Sequence, residues 1–160
     1  NVYGASKLKG EQYAQEILES YFIIRTSWVY SEYGHNFVKT MLRLGKERKE
    51  ISVVNDQLGS PTYAGDLASV ILKIVSSKKV RYGLYHYSNE GVASWYDFAK
   101  AIFDKIGNEI HITPITTLEF PTPAKRPEFS VMDKSKFKNI FKVETEEWKD
   151  SLNKVLPLIK

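Results

Sequence analysis

A short apolar run, Tyr21-Phe22-Ile23-Ile24, lies between two segments with helical periodicity. Apolar residues recur at three- and four-residue steps over about 5–20 before it and over 37–46 after it, which is typical of amphipathic helices. A continuous apolar run of this length is typical of a strand buried on both faces, as in a parallel sheet. The run and its flanking helices therefore predict an α/β fold with parallel strands.

The same alternation of strand-like and helical segments continues along the chain. Further strands are predicted at 51–54, 84–87 and 110–113, and further helices at 64–75, 95–106, 134–141 and 144–156, with a loop at 55–62. Ser94 is a candidate N-cap and Gly107 a candidate C-cap of one helix. Helices that interleave with strands in this way define the α/β class.

The composition excludes several classes of protein. The 160 residues fit one domain with a sizeable core, and the absence of cysteine excludes disulfide scaffolds, thiolate nucleophiles and Cys-ligated metals. No apolar run approaches the roughly 18 residues of a membrane span, and the charged N-terminal segment lacks a signal-peptide core. We therefore expect a cytoplasmic protein with no membrane partner.

The charge pattern does not favour a nucleic-acid partner. The net charge is +4, but basic and acidic residues are interspersed, as they are over 46–50. His35, His86 and His111 lie far apart in the sequence and lack the spacing of a metal site. We therefore predict neither nucleic-acid binding nor metal-ligating residues.

Two residues suited to acid–base chemistry lie near the N-terminus, in Tyr3-Gly4-Ala5-Ser6-Lys7. Four residues turn a helix by about 400°, so Tyr3 and Lys7 lie within about 40° of each other on one face, whereas Lys9 points away. A phenol has a pKa near ~10, and an acid working at neutral pH needs a pKa closer to ~7. A positive charge about 4 Å away contributes roughly the 4 kcal/mol required at an effective dielectric constant of ~20. Lys7 is therefore a candidate activator of Tyr3, although this spacing also occurs by chance.

Several segments together resemble one enzyme family. Tyr3–Lys7, followed by Gly10-Glu11, resembles the active-site helix of the extended short-chain dehydrogenase/reductases, which bind NAD(P) on a Rossmann domain. Four further segments narrow the resemblance to the dTDP-4-dehydrorhamnose reductases: Arg-Thr-Ser-Trp-Val-Tyr at 25–30, Val-Asn-Asp-Gln-Leu-Gly-Ser-Pro-Thr at 54–62, Tyr-His-Tyr-Ser-Asn-Glu-Gly at 85–91 and Pro-Ala-Lys-Arg-Pro at 123–127.

This resemblance implies an NAD(P)H-dependent oxidoreductase that reduces the C4 ketone of dTDP-4-dehydro-L-rhamnose to dTDP-L-rhamnose, a precursor of bacterial polysaccharides. It implies that Tyr3 donates the proton and that Lys7 stabilises the phenolate and binds the nicotinamide ribose, so that both residues also bind the cofactor. Trp28 matches the tryptophan of the sugar site, Arg126 is the candidate for the diphosphate, and Gln57 is a further candidate substrate ligand. The alternatives are that Trp28 only packs in the core, that Arg126 is only an exposed surface residue, and that Gln57 only forms part of a turn. The preference for NADPH or NADH and any need for a divalent metal are left open.

The chain departs from the family in one respect, because it has no Gly-x-x-Gly-x-x-Gly turn to hold the cofactor pyrophosphate. It also lacks the upstream Ser or Thr that assists the tyrosine. We therefore expect residues 1–160 to be a single C-terminal fragment, inactive by itself. We expect a portion of a Rossmann-type parallel sheet, mainly from 1–54 and about 64–106, and a small α/β substrate-binding lobe, mainly from about 55–63 and 107–160.

The expected partners are a dTDP-sugar and the missing N-terminal cofactor-binding half. Loss of the first strands uncovers a sheet edge that tends to pair, and a homodimer would also cover it. Two other functions stay open. One is a different nucleotide-sugar epimerase or dehydratase with the same Tyr-Gly-x-Ser-Lys helix, and the other is a non-catalytic binding or regulatory protein on the same scaffold.

Overall fold

The computed structural model describes residues 1–77 and 81–159. Its α-helices are α1 (Val2–Ile17), α2 (Phe37–Glu47), α3 (Ala64–Val75), α4 (Trp95–Ile106), α5 (Ser135–Phe141) and α6 (Trp148–Val155). Its strands are β1 (Phe22–Arg25), β2 (Val29–Tyr30), β3 (Glu50–Val54), β4 (Leu58–Gly59), β5 (Thr62–Tyr63), β6 (Gly83–His86), β7 (Ala93–Ser94) and β8 (His111–Ile115). Short 3₁₀ helices occur at Thr117–Glu119 and Leu156–Leu158. Every predicted helix and strand is present, although the last helix begins at Trp148 and not at residue 144. The predicted loop at 55–62 also contains β4 and the first residue of β5.

Two-stranded sheets join elements that are distant in the sequence. β1 pairs with β6, β2 with β5 and β3 with β8, all in parallel, whereas β4 pairs antiparallel with β7. Parallel neighbours require a crossover connection, and helices lie between the paired strands in the sequence. The α/β class with parallel strands is therefore confirmed.

The smaller of two hydrophobic cores is built on β1 and β6. Paired residues of a parallel register point to the same side of the sheet, so Ile24 and Tyr85 share one face, against which α3 and α5 pack. Arg25 and His86 share the opposite face. The buried residues of this core are Val70, Ile74, Tyr85, Tyr87, Phe137 and Val143.

The larger core joins α2, α4 and α6 to β3. α4 begins at a capping box between Ser94 and Asp97 and ends at Gly107, whose left-handed φ of 66° suits glycine, so both predicted caps are confirmed. The buried members are Tyr30, Val38, Met41, Ile51, Val53, Ala93, Phe98, Ala99, Ile102, Phe103, Trp148, Leu152, Val155 and Leu156.

Each core draws on residues from 1–54, from 64–106 and from 107–160. The larger core combines α2 and β3 with α4 and α6, while the smaller core combines β1 with α3 and α5. The predicted division into Rossmann elements and a substrate-binding lobe does not coincide with either core. It stays a prediction.

α1 is unusual among the helices because none of its residues is buried by the described part of the chain. It begins earlier than predicted, since the side chain of Asn1 accepts a hydrogen bond from the N–H of Gly4 at 2.8 Å and caps the helix. Leu8, Tyr13 and Ile17, members of the predicted apolar face, are all exposed. The described residues therefore leave this face largely uncovered. No helix within 1–77 and 81–159 is long and apolar enough to cross a membrane.

Candidate functional site

Tyr3 and Lys7 lie together on the first two turns of α1. The Lys7 ammonium nitrogen is 5.6 Å from the centroid of the Tyr3 ring, so the predicted shared face is confirmed. Tyr3 is 70% exposed, and its ring is accessible to a ligand. A phenol beside an ammonium group can donate a proton and retain the resulting negative charge.

Trp28 lies in the turn between β1 and β2, where its backbone has a φ of 50°. Its indole is stacked on that of Trp95, with ring centroids 3.6 Å apart and an interplanar angle of 10°. Both residues are partly exposed. The pair therefore presents a flat apolar surface next to solvent, which is a surface that suits the apolar face of a sugar.

Gln57 is only 6% exposed. Its Nε2 donates a hydrogen bond to Oγ1 of Thr117 at 3.0 Å. The Thr117 hydroxyl and backbone N–H in turn donate to the Asp56 carboxylate, at 2.6 Å and 2.9 Å, and these bonds hold the pKa of Asp56 below its ordinary value. The side chain of Gln57 thus has a structural partner, and its contact with a substrate stays a prediction.

Arg126 is exposed on a loop that contains Pro121, Pro123 and Pro127. The neighbouring carbonyl of Lys125 accepts a hydrogen bond from Nδ2 of Asn1 at 3.0 Å. Because Asn1 caps α1, this bond places the loop of Arg126 beside the start of the helix that contains Tyr3 and Lys7. A guanidinium at this position is available to a phosphate group.

Backbone and side-chain contacts link the segments that contain the five predicted site residues. The loop of Arg126 contacts the cap of α1, and just beyond it the carbonyl of Glu128 accepts from the N–H of Leu58 at 2.7 Å. Gly59, next in the chain, lies against the Trp28 indole. The structure thereby connects the α1 start, the 125–130 segment, the 55–60 segment and Trp28, although these are far apart in the sequence.

An ion pair that the sequence interpretation missed joins α1 to β1. Nε and Nη2 of Arg25 donate to the two carboxylate oxygens of Glu11, at 2.8 Å and 2.6 Å. These hydrogen bonds lower the pKa of the Glu11 carboxyl group and raise the pKa of the Arg25 guanidinium. Glu11 follows Lys7 by four residues, so the same helical spacing that grouped Tyr3 with Lys7 would have placed it on the adjoining surface.

A second missed residue is Asn89, which is fully buried after β6. Its Oδ1 accepts from the N–H of Tyr63 at 2.8 Å, and its Nδ2 donates to Asp66 at 2.7 Å and to Ser151 at 2.9 Å. Asp66, predicted only as a helix-start residue, is therefore also part of a buried network. No local spacing in the sequence indicates these partners.

A cavity in the structure lies apart from the five predicted site residues. A cavity of about 330 Å³ is lined by Glu90, Asp133, Lys134 and their neighbours, and none of the five predicted site residues lines it. Within the described residues, no group of three or more acidic, histidine or cysteine side chains is placed to hold a metal ion.

Known proteins resemble this chain over nearly its whole length. The family of RmlD substrate-binding domains matches residues 1–159. A dTDP-4-dehydrorhamnose reductase from Aggregatibacter actinomycetemcomitans is 44% identical and matches 96% of this chain and 56% of its own length. The spore coat polysaccharide biosynthesis protein SpsK from Bacillus subtilis is 41% identical and matches 97% of this chain and 53% of its own length.

A solved structure shows the same similarity in three dimensions. The dTDP-4-dehydrorhamnose reductase from Bacillus anthracis, determined in complex with NADP, superimposes with a TM-score of 0.93 at 46% identity, over 100% of this chain and 56% of its own. The resemblance indicated by the sequence motifs is thereby confirmed. The chain spans about half the length of the curated relatives it matches.

Proposed function

Because this chain belongs to the family of RmlD substrate-binding domains, we propose that it functions as part of a dTDP-4-dehydrorhamnose reductase. The reaction is the NAD(P)H-dependent reduction of the C4 ketone of dTDP-4-dehydro-L-rhamnose to dTDP-L-rhamnose. The observation that supports this proposal most directly is the pairing of Tyr3 and Lys7 on an exposed, capped helix. The family match covers the same helix.

Tyr3 is the proton donor in this proposal. As the C4 carbonyl oxygen gains negative charge, the Tyr3 hydroxyl donates its proton to that oxygen and becomes a phenolate. The Lys7 ammonium stabilises the phenolate, because an opposite charge nearby favours the ionised form. When bound, the nicotinamide cofactor supplies the hydride.

The residues present fit one end of that cofactor. The Lys7 ammonium and the Tyr3 hydroxyl, on the same exposed face, provide donors for the nicotinamide ribose hydroxyls. The chain contains no glycine-rich turn for the pyrophosphate, and in this proposal that end is bound by a separate cofactor-binding unit. We therefore expect the isolated chain to bind NADPH weakly and to show no turnover.

The sugar nucleotide is bound by residues on the connected segments described above. The Trp28 indole contacts the apolar face of the deoxy sugar, and Arg126 binds the diphosphate through its guanidinium fork. Gln57 fixes the loop beside Trp28 through Thr117, and a direct bond from Gln57 to the substrate would require its amide to leave that partner. The hydrogen bond from Asn1 to the carbonyl of Lys125 supports this role, because it brings the loop of Arg126 to the start of α1.

The uncovered face of α1 is the expected binding surface of a cofactor-binding unit. Leu8, Tyr13 and Ile17 on this helix are exposed. In the described residues β1 pairs only with β6, so its other edge is available for a further parallel strand. A Rossmann unit on the same or another chain would cover both the helix face and the strand edge. In a homodimer, a second copy of this chain would cover them instead.

Two other functions are less well supported. A different nucleotide-sugar epimerase or dehydratase would share the Tyr3–Lys7 helix, but the relatives above 40% identity include proteins named as this reductase. A non-catalytic binding protein on the same scaffold would not need the exposed Tyr3 and Lys7 pair. Both alternatives predict a protein without ketone-dependent NADPH oxidation.

The test is a chimera in which this chain replaces the matching segment of the Bacillus anthracis relative. NADPH oxidation is followed with dTDP-4-dehydro-L-rhamnose as the substrate. We expect activity in the chimera and a loss of at least about 100-fold in kcat for Tyr3→Phe, the range of general acid catalysis. Tyr33→Phe is the matched control, because Tyr33 is an exposed tyrosine that has no role in the proposal, and it should retain activity.

Two outcomes would contradict the proposal. One is a chimera that folds but does not oxidise NADPH with this ketone, and the other is a Tyr3→Phe variant as active as Tyr33→Phe. A fluorescence titration of the isolated 160-residue chain tests the cofactor separately. Stoichiometric binding of NADPH with micromolar affinity would overturn the expectation that the chain lacks the pyrophosphate site.

A further inference from the structure

The Trp28 indole is held on one face by Trp95. The two rings are nearly parallel, with centroids 3.6 Å apart, which is closer than the usual range for aromatic pairs. Trp95 is itself supported from another direction, because its ring lies 4.7 Å from that of Phe37 at an interplanar angle of 50°. Trp95 opens α4, directly after the capping box at Ser94. The support for Trp28 therefore comes from a well-anchored helix end.

The edge of the same indole is restrained by Gly59. A Cβ added at Gly59 would lie 2.5 Å from Cε2 and 2.7 Å from Cζ2 of Trp28, so only glycine leaves room for the ring in this position. The part of the indole that neither Trp95 nor Gly59 covers is the part that remains for a ligand.

The backbone of Trp28 is held in an unfavourable conformation. Its φ of 50° is in the left-handed region, which costs a non-glycine residue free energy and persists only where the surroundings impose it. The Trp28 carbonyl accepts from the N–H of Thr62 at 3.1 Å, and the hydroxyl of Ser27 donates to the carbonyl of Ser60 at 3.2 Å. Backbone and ring are thus both constrained.

We infer that Trp95 is a positioning residue. It fixes the Trp28 indole in one orientation before the sugar nucleotide binds. The inference rests on the proposed function, in which Trp28 contacts the sugar. A side chain that is already immobile loses little conformational entropy on binding. Loss of Trp95 should therefore weaken substrate binding without removing any group that reacts.

The stacking is tested first in the 160-residue chain. The chain has three tryptophans, and the third, Trp148, is buried against Phe98 in an edge-to-face contact. Two stacked indoles give an exciton couplet in circular dichroism. We expect the couplet in the unmodified chain and in Trp148→Phe, and its loss in both Trp28→Phe and Trp95→Phe. A couplet that survives Trp95→Phe, or that is absent from the unmodified chain, would overturn the inference.

The functional consequence is tested in the active chimera. We expect Trp95→Leu to raise the KM for the sugar nucleotide by about 2- to 10-fold, the value of an aromatic pair, with kcat changed less than KM. Trp95→Phe, which retains an aromatic ring, should restore part of the affinity. Trp148→Phe is the control for a tryptophan lost elsewhere, and its KM should be unchanged.

Trp28→Leu separates this inference from the proposed function. If Trp28→Leu raises KM and Trp95→Leu does not, Trp28 contacts the substrate but Trp95 does not position it, and the inference is wrong. If Trp28→Leu leaves KM unchanged, the proposed sugar contact is itself wrong, and the inference falls with it. Neither outcome decides whether the unmodified chimera is active, so the reductase function is judged separately, on the activity of the chimera and of its Tyr3→Phe variant.

Discussion

Arg25 on β1 forms a two-point ion pair with Glu11 on α1, with Nε to Oε1 at 2.8 Å and Nη2 to Oε2 at 2.6 Å. Two parallel hydrogen bonds between an arginine and a carboxylate fix the relative orientation of the two groups as well as adding interaction energy. α1 has no buried residue in the described chain, so polar contacts have an unusually large part in holding it. The second polar contact, from Asn1 to Lys125, is at the N-terminus of the helix.

Glu11→Gln should loosen α1 while leaving the rest of the protein folded. Hydrogen exchange of the amides in Val2–Ile17 should become faster, because the helix loses the ion pair. The free energy of global unfolding should change by less than about 1 kcal/mol, since the pair is partly exposed. Glu16→Gln removes an exposed carboxylate of the same helix and serves as the control; equal exchange rates in the two variants would contradict the prediction.

The same ion pair predicts a pH dependence. Hydrogen bonds from Arg25 lower the pKa of Glu11 from its ordinary value of 4.5. A carboxyl group with a lowered pKa in the folded state contributes stability that is fully present above its unfolded pKa and is lost as the pH falls through the folded value. Exchange in α1, corrected for the intrinsic effect of pH, should therefore increase on acidification below about pH 4.5. Glu11→Gln should lack this increase.

Asn89→Ala should destabilise the whole protein. The substitution removes the acceptor for the Tyr63 N–H and the donor to Asp66 and Ser151, inside a fully buried network. A buried polar group left without a partner costs about 1–3 kcal/mol, so a loss of about 3 kcal/mol is expected in urea unfolding. Asn153→Ala, at an exposed position of α6, should change the unfolding free energy little. Similar values for both variants would show that the network is unimportant.

Thr117→Val should weaken the 55–60 segment. Valine has nearly the shape of threonine but cannot accept the bond from Gln57 or donate one to Asp56. Because the Gln57 amide is buried, we expect a loss of about 1–3 kcal/mol in unfolding free energy. Thr117→Ser keeps the hydroxyl and should recover most of it. If Thr117→Ser is as destabilising as Thr117→Val, retention of the hydroxyl does not preserve stability, and the prediction is wrong.

Tyr30→Phe should leave stability unchanged or raise it by up to about 1 kcal/mol, because a buried hydroxyl with no partner costs desolvation free energy. The Tyr30 hydroxyl has no hydrogen-bond partner among the described residues, and burial raises its pKa. Tyr85→Phe is the matched control, since Tyr85 is equally buried but donates to the carbonyl of Arg81. Urea unfolding should show a loss only for Tyr85→Phe, and an equal loss for Tyr30→Phe would contradict the prediction.

The helices and strands were predictable because each depends on neighbours within a few residues. α3 and α4 both have the predicted ends. For α4, the capping box and the C-terminal glycine are local signals. The shared face of Tyr3 and Lys7 was predictable for the same reason, as helical spacing alone determines it. The start of α1 was placed too late because Asn1 was not recognised as its cap.

The contacts of the site were predictable only in part. Trp28 and Gln57 were selected on their resemblance to a family, and nothing in that resemblance indicated that Gln57 is bonded to Thr117 or that Trp28 is stacked on Trp95. Gln57 has a protein partner because the tertiary fold buries it beside Thr117, and the sequence does not indicate this contact. Which apolar face is left uncovered was also not predicted, because periodicity shows which residues are apolar but not what packs on them.

The sequence by itself determined the α/β class, the order of helices and strands, and the family to which the chain belongs. Only the tertiary structure decided which distant residues meet: Glu11 with Arg25, Gln57 with Thr117 at a separation of 60 residues, and Asp66 with Ser151 at a separation of 85. The physical reason is range. Local propensity and periodicity act within a few residues of the chain, whereas these contacts form only after strand pairing and core packing have brought their segments together.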